Sequence, residues 1–159
     1  MKSKTTILTL LVCLVAATCF VTTALAKESP HMGTWKLNES KSKIAKGGAK
    51  NHTVVYEAAG DQVKATVDGV DGDGNATHNE WTGKWDGKFY AVTGDATSDE
   101  RSYRKVNANS LAMTARKAGK VTLTGTIVVS RNGKTRTVTT SGTDAKGKRF
   151  RTVAVYDKA

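Results

Sequence analysis

From residue 60 onward the chain is punctuated at short intervals by turn residues, and no other feature narrows its fold so far. Gly60-Asp61, Asp71-Gly72-Asp73-Gly74-Asn75, Asp86-Gly87, Asn107-Ala108-Asn109, Ala118-Gly119, Asn132-Gly133 and Lys146-Gly147 follow one another along the sequence. Gly, Asn and Asp accept the positive φ that tight hairpins demand, and Asn-Gly and Asp-Gly are favoured two-residue loops. Between the turns, residue types alternate. Val121, Leu123, Ile127 and Val129 read as one face of a strand, with Thr122, Thr124, Thr126 and Ser130 mostly on the other. Leu111, Met113 and Ala115 share a face, and Thr135, Thr137 and Thr139 stand against Arg136, Val138 and Thr140. Period-two alternation rich in Val, Ile and Thr is the signal of half-buried strands. The sole proline, Pro30, precedes all of them, so no strand is interrupted.

These signals predict strands over 33–37, 51–58, 62–69, 77–85, 88–93, 99–106, 110–117, 120–130, 134–142 and 149–157. Short loops between neighbours favour antiparallel pairing. Residues 38–50 hold only Ile44 as a large apolar side chain, which leaves a loop or at most one helical turn there. A twisted sheet of about ten strands curls, and closing it removes its exposed edges. The expected fold is therefore all-β, a single antiparallel up-and-down barrel of about eight to ten strands.

The first 26 residues are set apart. Lys2 and Lys4 precede an uncharged stretch from Thr5 to Ala26, and Ala24-Leu25-Ala26 fits the small-x-small pattern cut before Lys27. This reads as a cleaved secretory signal, with an uncleaved anchor as its main rival. Lipid attachment at Cys19 fits less well, since Ala16 and Thr18 occupy the places where a large apolar and a small residue are wanted. Cleavage would leave residues 27–159, the size of one domain, with 27–32 as a flexible lead-in and 33–159 as the barrel. Cys13 and Cys19 would go with the leader, which removes any disulfide, thiol nucleophile or zinc–thiolate site from the remainder. The expected location is secreted or periplasmic, with no transmembrane segment after cleavage.

The formal charge is +11, and its lysines and arginines are scattered. Such a surface attracts anionic polymers or lipid headgroups, but no aromatic–basic interleaving of a nucleic-acid motif is present, so nucleic acid is not an expected partner. Asp71-Gly72-Asp73-Gly74-Asn75 places oxygen ligands at alternate positions, as a calcium loop does. Ala76 and Thr82 stand where its glycine and glutamate should be, which favours a polar hairpin turn. His78 and Glu80 share a strand face and could act as a base and its orienting partner, yet no second histidine is placed to complete a metal set.

Gly33-Thr34-Trp35-Lys36-Leu37 resembles the Gly-x-Trp opening of the calycin superfamily, the lipocalins and fatty-acid-binding proteins. With Asn38, Lys41-Ser42-Lys43, the stretch from His78 to Lys84 and that from Gly142 to Lys148, the chain is similar to bacterial secreted lipocalin-like proteins along nearly its whole length after residue 26. The resemblance implies a barrel with Trp35 plugging its closed end near a basic side chain from a late strand. It also implies a non-enzymatic, exported protein holding a small apolar or amphipathic ligand; no cofactor is expected, and the expected state is a monomer. Fatty-acid-binding proteins carry an Arg-x-Tyr in the last strand that clamps a carboxylate; here Tyr156 matches but Ala154 replaces the arginine, and 38–50 is too short for their helical lid. Arg101-Ser102-Tyr103 repeats that spacing on another strand. The candidate ligand-binding residues are therefore Trp35, Trp81, Arg101, Tyr103, Arg151 and Tyr156, with Arg101 or Arg151 to neutralise an acidic head. Two other readings stand beside this one. The first is a filled barrel whose basic exterior binds anionic polysaccharide or membrane headgroups; the second is a hydrolase or isomerase built on His78 and Glu80.

Overall fold

The computed structural model describes residues 28–143 and 147–159. The leader segment 1–26 and part of the Lys146-Gly147 turn lie outside the described residues. Ten strands follow in chain order: β1 (Gly33–Leu37), β2 (Lys50–Ala59), β3 (Gln62–Val70), β4 (Ala76–Gly83), β5 (Asp86–Thr93), β6 (Glu100–Asn107), β7 (Ser110–Lys117), β8 (Lys120–Val129), β9 (Thr135–Thr143) and β10 (Arg149–Lys158). Their ends fall within two residues of the sequence expectation. Consecutive strands pair antiparallel, and β1 pairs with both β2 and β10, which closes the sheet into one up-and-down barrel. The architecture is compatible with the calycin type. Among the described residues, no helix is long and apolar enough to cross a membrane.

Closure rests on a short pairing. Trp35, Lys36 and Leu37 face Lys158, Asp157 and Tyr156, and the Ala159 amide donates to the Thr34 carbonyl at 3.0 Å. The 38–50 connection contains one 3-10 turn, Glu39–Lys41, capped by Asn38, whose side-chain oxygen accepts the Lys41 amide at 3.2 Å. Lys43 then bridges Val153 and pins the connection to β10.

Because each strand reverses direction, the β1–β2, β3–β4, β5–β6, β7–β8 and β9–β10 loops gather at one end, the mouth. The other end is packed shut by Trp35, Leu111, Ile127 and Val129, all essentially inaccessible to solvent. Lys158 from β10 lies 5.2 Å from the Trp35 ring centroid, a basic side chain from a late strand over the plug. Residues 31 and 32 are not a free lead-in: His31 and Met32 are buried. The Trp35 indole N–H donates to the His31 carbonyl at 2.9 Å, and the His31 ring meets Trp85 edge-on at 5.5 Å. These contacts tuck the segment under the closed end.

Of several irregularities in the wall, two bear on the residues that follow. In β8, Ala115 pairs with Leu123 while Arg116 pairs with Val121, so Thr122 is an extra, bulged residue. The bulge breaks the alternation and turns Val121 outward, 60 % exposed, against the expectation that it shares the face of Leu123. Between β4 and β5 only Glu80↔Thr93 and Trp81↔Val92 pair. Trp81 and Tyr90 fill this seam, their rings edge to face at 5.9 Å. They pack over Gly83, where a Cβ would stand 2.5 Å from the Tyr90 ring.

Candidate ligand cavity

Inward-pointing side chains above the closed end leave a cavity of about 750 Å³ that opens toward the mouth. That size falls among the roughly 300–1,000 Å³ of small-molecule sites. Its walls are largely apolar, with Val54, Val67, Leu123, Ile127, Val138 and Ala154 contributed from five strands. A more open hollow of about 510 Å³ lies at the rim between residues 44–50 and 70–74. The interior is thus not filled by its own side chains.

Polar groups concentrate at two levels. Near the mouth, Arg101 at the start of β6 points inward, 9 % exposed. Its Nη2 donates to the Asp95 carboxylate at 2.9 Å and to the Asn79 side-chain oxygen at 3.4 Å, and its Nη1 reaches the Tyr103 hydroxyl at 3.5 Å. Asp95 sits in the β5–β6 loop and is itself held: the Ser98 hydroxyl donates to it at 2.5 Å, and the Thr97 amide and hydroxyl at 2.8 and 2.7 Å. Burial pushes the Asp95 carboxyl up, but Ser98, Thr97 and Arg101 outweigh it and leave the group below its ordinary pKa. Burial likewise opposes the Arg101 charge, and Tyr103 and Asp95 more than restore it. This ion pair is complete.

Near the closed end, Arg136 at the start of β9 is 3 % exposed. Its Nη2 donates to the Tyr56 hydroxyl at 3.0 Å, while Nε and Nη1 have no hydrogen-bond partner among the described residues. The guanidinium carbon lies 4.6 Å from the Tyr56 ring centroid, 5.7 Å from Tyr156 and 6.0 Å from Trp35. Aromatic faces attract a cation, each by about 0.5–2 kcal/mol, but no carboxylate among the described residues pairs with this one. Burial raises the Tyr156 hydroxyl to about 12 despite the opposing pull of Arg136, and it drives Tyr56 higher still. Both phenols stay protonated. Tyr56 and Tyr103, edge to face at 6.3 Å, connect the two arginine levels.

Of the residues expected from sequence, Arg101, Tyr103 and Tyr156 line this cavity together. Trp35 and Trp81 do not: Trp35 lies in the packed end, and Trp81 is buried in the seam with its Nε1–H on the Arg101 carbonyl. Arg151 is exposed on the outer wall. The reason is parity, since Thr152, Ala154 and Tyr156 of β10 point inward and odd-numbered neighbours point out. Arg151 cannot neutralise a head group in the interior. The basic residue that the sequence reading passed over is Arg136, whose signal was its place on the same strand face as Val138.

The other candidates lie on the exterior. His78 Nδ1 meets Asp68 at 2.6 Å and its Nε2 is 3.8 Å from Glu80, which pairs with Lys64, all on the outer face of β3 and β4. The Asp71 carboxylate accepts the amides of Asp73 and Asn75, both at 2.9 Å, and so builds its own hairpin turn. Among the described residues no group of three or more His, Cys, Asp or Glu side chains converges as a metal site. No protein-family model and no curated protein matches this chain.

Proposed function

We propose that this chain is an exported, non-enzymatic binding protein that holds a small amphipathic molecule inside its barrel. The observation that carries the reading is the cavity of about 750 Å³, apolar along most of its wall, with two arginine–tyrosine groups at separate heights. An apolar body would lie against Val54, Val67, Ile127 and Val138, and a polar end would be oriented by the arginine–tyrosine groups. Burial of the apolar part contributes about 25 cal/mol per Å² removed from water. The open interior favours this reading over a barrel filled by its own side chains, although the basic exterior remains available to an anionic surface. The leader sequence supports export.

The test is titration with N-phenylnaphthylamine, a neutral apolar fluorophore that brightens in a dry pocket. Saturable one-to-one enhancement is expected. Ala154→Phe, which would fill the interior from β10, should abolish it while the protein remains folded by circular dichroism. Enhancement that survives Ala154→Phe would place the probe on the surface and defeat the reading.

A further inference from the structure

The two interior arginines are not equivalent. Arg101, at the mouth, faces a carboxylate that the Ser98 and Thr97 hydroxyls and the Thr97 amide hold in place. Arg136, at the floor, is as deeply buried but faces only a hydroxyl and aromatic rings. Among the described residues, these two cations and one anion leave one surplus positive charge, and the geometry locates it at the floor.

A buried charge without a counter-ion costs several kcal/mol unless something pairs with it. The guanidinium, its Nε and Nη1 buried and without a partner among the described residues, is together with the Tyr56 hydroxyl it bonds the complement of an anionic head. The mouth has the opposite character. Any second acid arriving there meets Asp95, which already occupies Arg101, and two adjacent carboxylates repel, while Lys46 and Lys117, the exposed cations at the same rim, are screened by water and salt.

Resting on the binding reading above, we infer that the cavity is built for a single negative charge: a monocarboxylate amphiphile seated head-down at Arg136, with Asp95 balancing the charge of Arg101 so that a diacid is refused. Asp95 is then a specificity residue, working through the charge it places at the mouth. Its loop is tethered to the wall by the same carboxylate, so entry of a single-headed ligand need not break the ion pair.

The experiment compares three probes of one chain length, dodecanoate, dodecanol and dodecanedioate, by isothermal titration calorimetry on the protein as secreted. Dodecanoate should bind about tenfold or more tightly than either of the others, a factor equivalent to about 1.4 kcal/mol. Arg136→Gln should collapse the dodecanoate-to-dodecanol ratio toward one. Asp95→Asn should raise the dodecanedioate-to-dodecanoate ratio by about tenfold. Ser98→Ala, which loosens the same loop without changing its charge, should not move that ratio. If dodecanoate binds through Arg136 but Asp95→Asn leaves the diacid ratio fixed, or Ser98→Ala raises it equally, the charge-selection inference fails and the binding reading stands. If dodecanoate and dodecanol bind equally in the unaltered protein, the anionic seat at Arg136 is overturned. If none of the three binds, the binding reading falls as well.

Discussion

The indole of Trp81, on β4, donates its Nε1–H to the carbonyl of Arg101, on β6, at 2.9 Å. It reaches past β5 because β4 and β5 pair at only two positions, so the ring itself bridges the weakest seam of the wall. The same contact fixes the backbone from which the Arg101 guanidinium enters the cavity. Trp81→Phe keeps most of the apolar contact and removes the N–H. It should cost about 1–3 kcal/mol, the penalty of leaving a buried carbonyl unpaired, measured by urea unfolding. A loss below about 0.5 kcal/mol would mean the seam is held by other contacts.

Gly83 tests the seam from beneath. A methyl there would stand 2.5 Å from the Tyr90 ring, with the Trp81 ring also in contact. Gly83→Ala should destabilise by about 1–3 kcal/mol through overpacking, and near-ultraviolet circular dichroism should report displaced aromatic rings.

His31 gives a pH dependence with a definite sign. Burial, then the nearby charges of Arg136 and Lys105, lower its pKa from 6.5 to about 4. As pH falls below 6.5 the unfolded chain takes up a proton on this ring that the folded protein refuses until about pH 4. Its contribution to stability is therefore whole above pH 6.5 and is lost on acidification across that window, by about 3 kcal/mol in total. His31→Phe should flatten the stability profile between those limits. An unchanged slope in the variant would assign the acid sensitivity to other groups.

The bulge at Thr122 separates two residues that simple alternation puts on one face. Ile127 is 1 % exposed and Val121 60 %. Ile127→Ala should cost about 2–5 kcal/mol, whereas Val121→Ala should stay within about 0.5 kcal/mol of the unaltered protein. Comparable losses at both positions would restore the regular strand and remove the bulge.

Arg151 was the most natural candidate for an acid-binding cation on the last strand, and its outward orientation predicts that it is none. Arg151→Ala should leave dodecanoate affinity within about twofold, a change of about 0.4 kcal/mol, while Arg136→Gln lowers it. Calorimetry of the two variants side by side decides which arginine serves the interior.

The strands were legible because each hairpin is marked by a residue that tolerates positive φ, as at Gly87 and Gly133, and because Val, Ile and Thr alternate between the marks. The inside of each strand was harder to read. On β9, threonine alternates with Arg136, Val138 and Thr140, and nothing in residue type says that the face carrying an arginine is the buried one. On β10, Val153 and Val155 share the outer face with Arg151, while Thr152 lies on the inner one, so polarity points the wrong way at three positions. The bulge left no mark, since Thr122 is an ordinary strand residue. The pairing of Arg101 with Asp95 depends on a loop folding back over six residues, which only the closed structure brings about.

The closing pair β1–β10 sets Thr34 and Ala159 side by side in one seam, and every other neighbour relation in the wall joins strands consecutive in the chain. The barrel is topologically a ring with no privileged starting point. Joining residue 159 to residue 28 by a short linker and cutting instead at the exposed Arg131–Asn132 tip would keep every strand beside its present partners. A circular permutant of that kind would still carry Arg136 and Arg101 to their two heights, because neither position depends on where the polypeptide happens to begin.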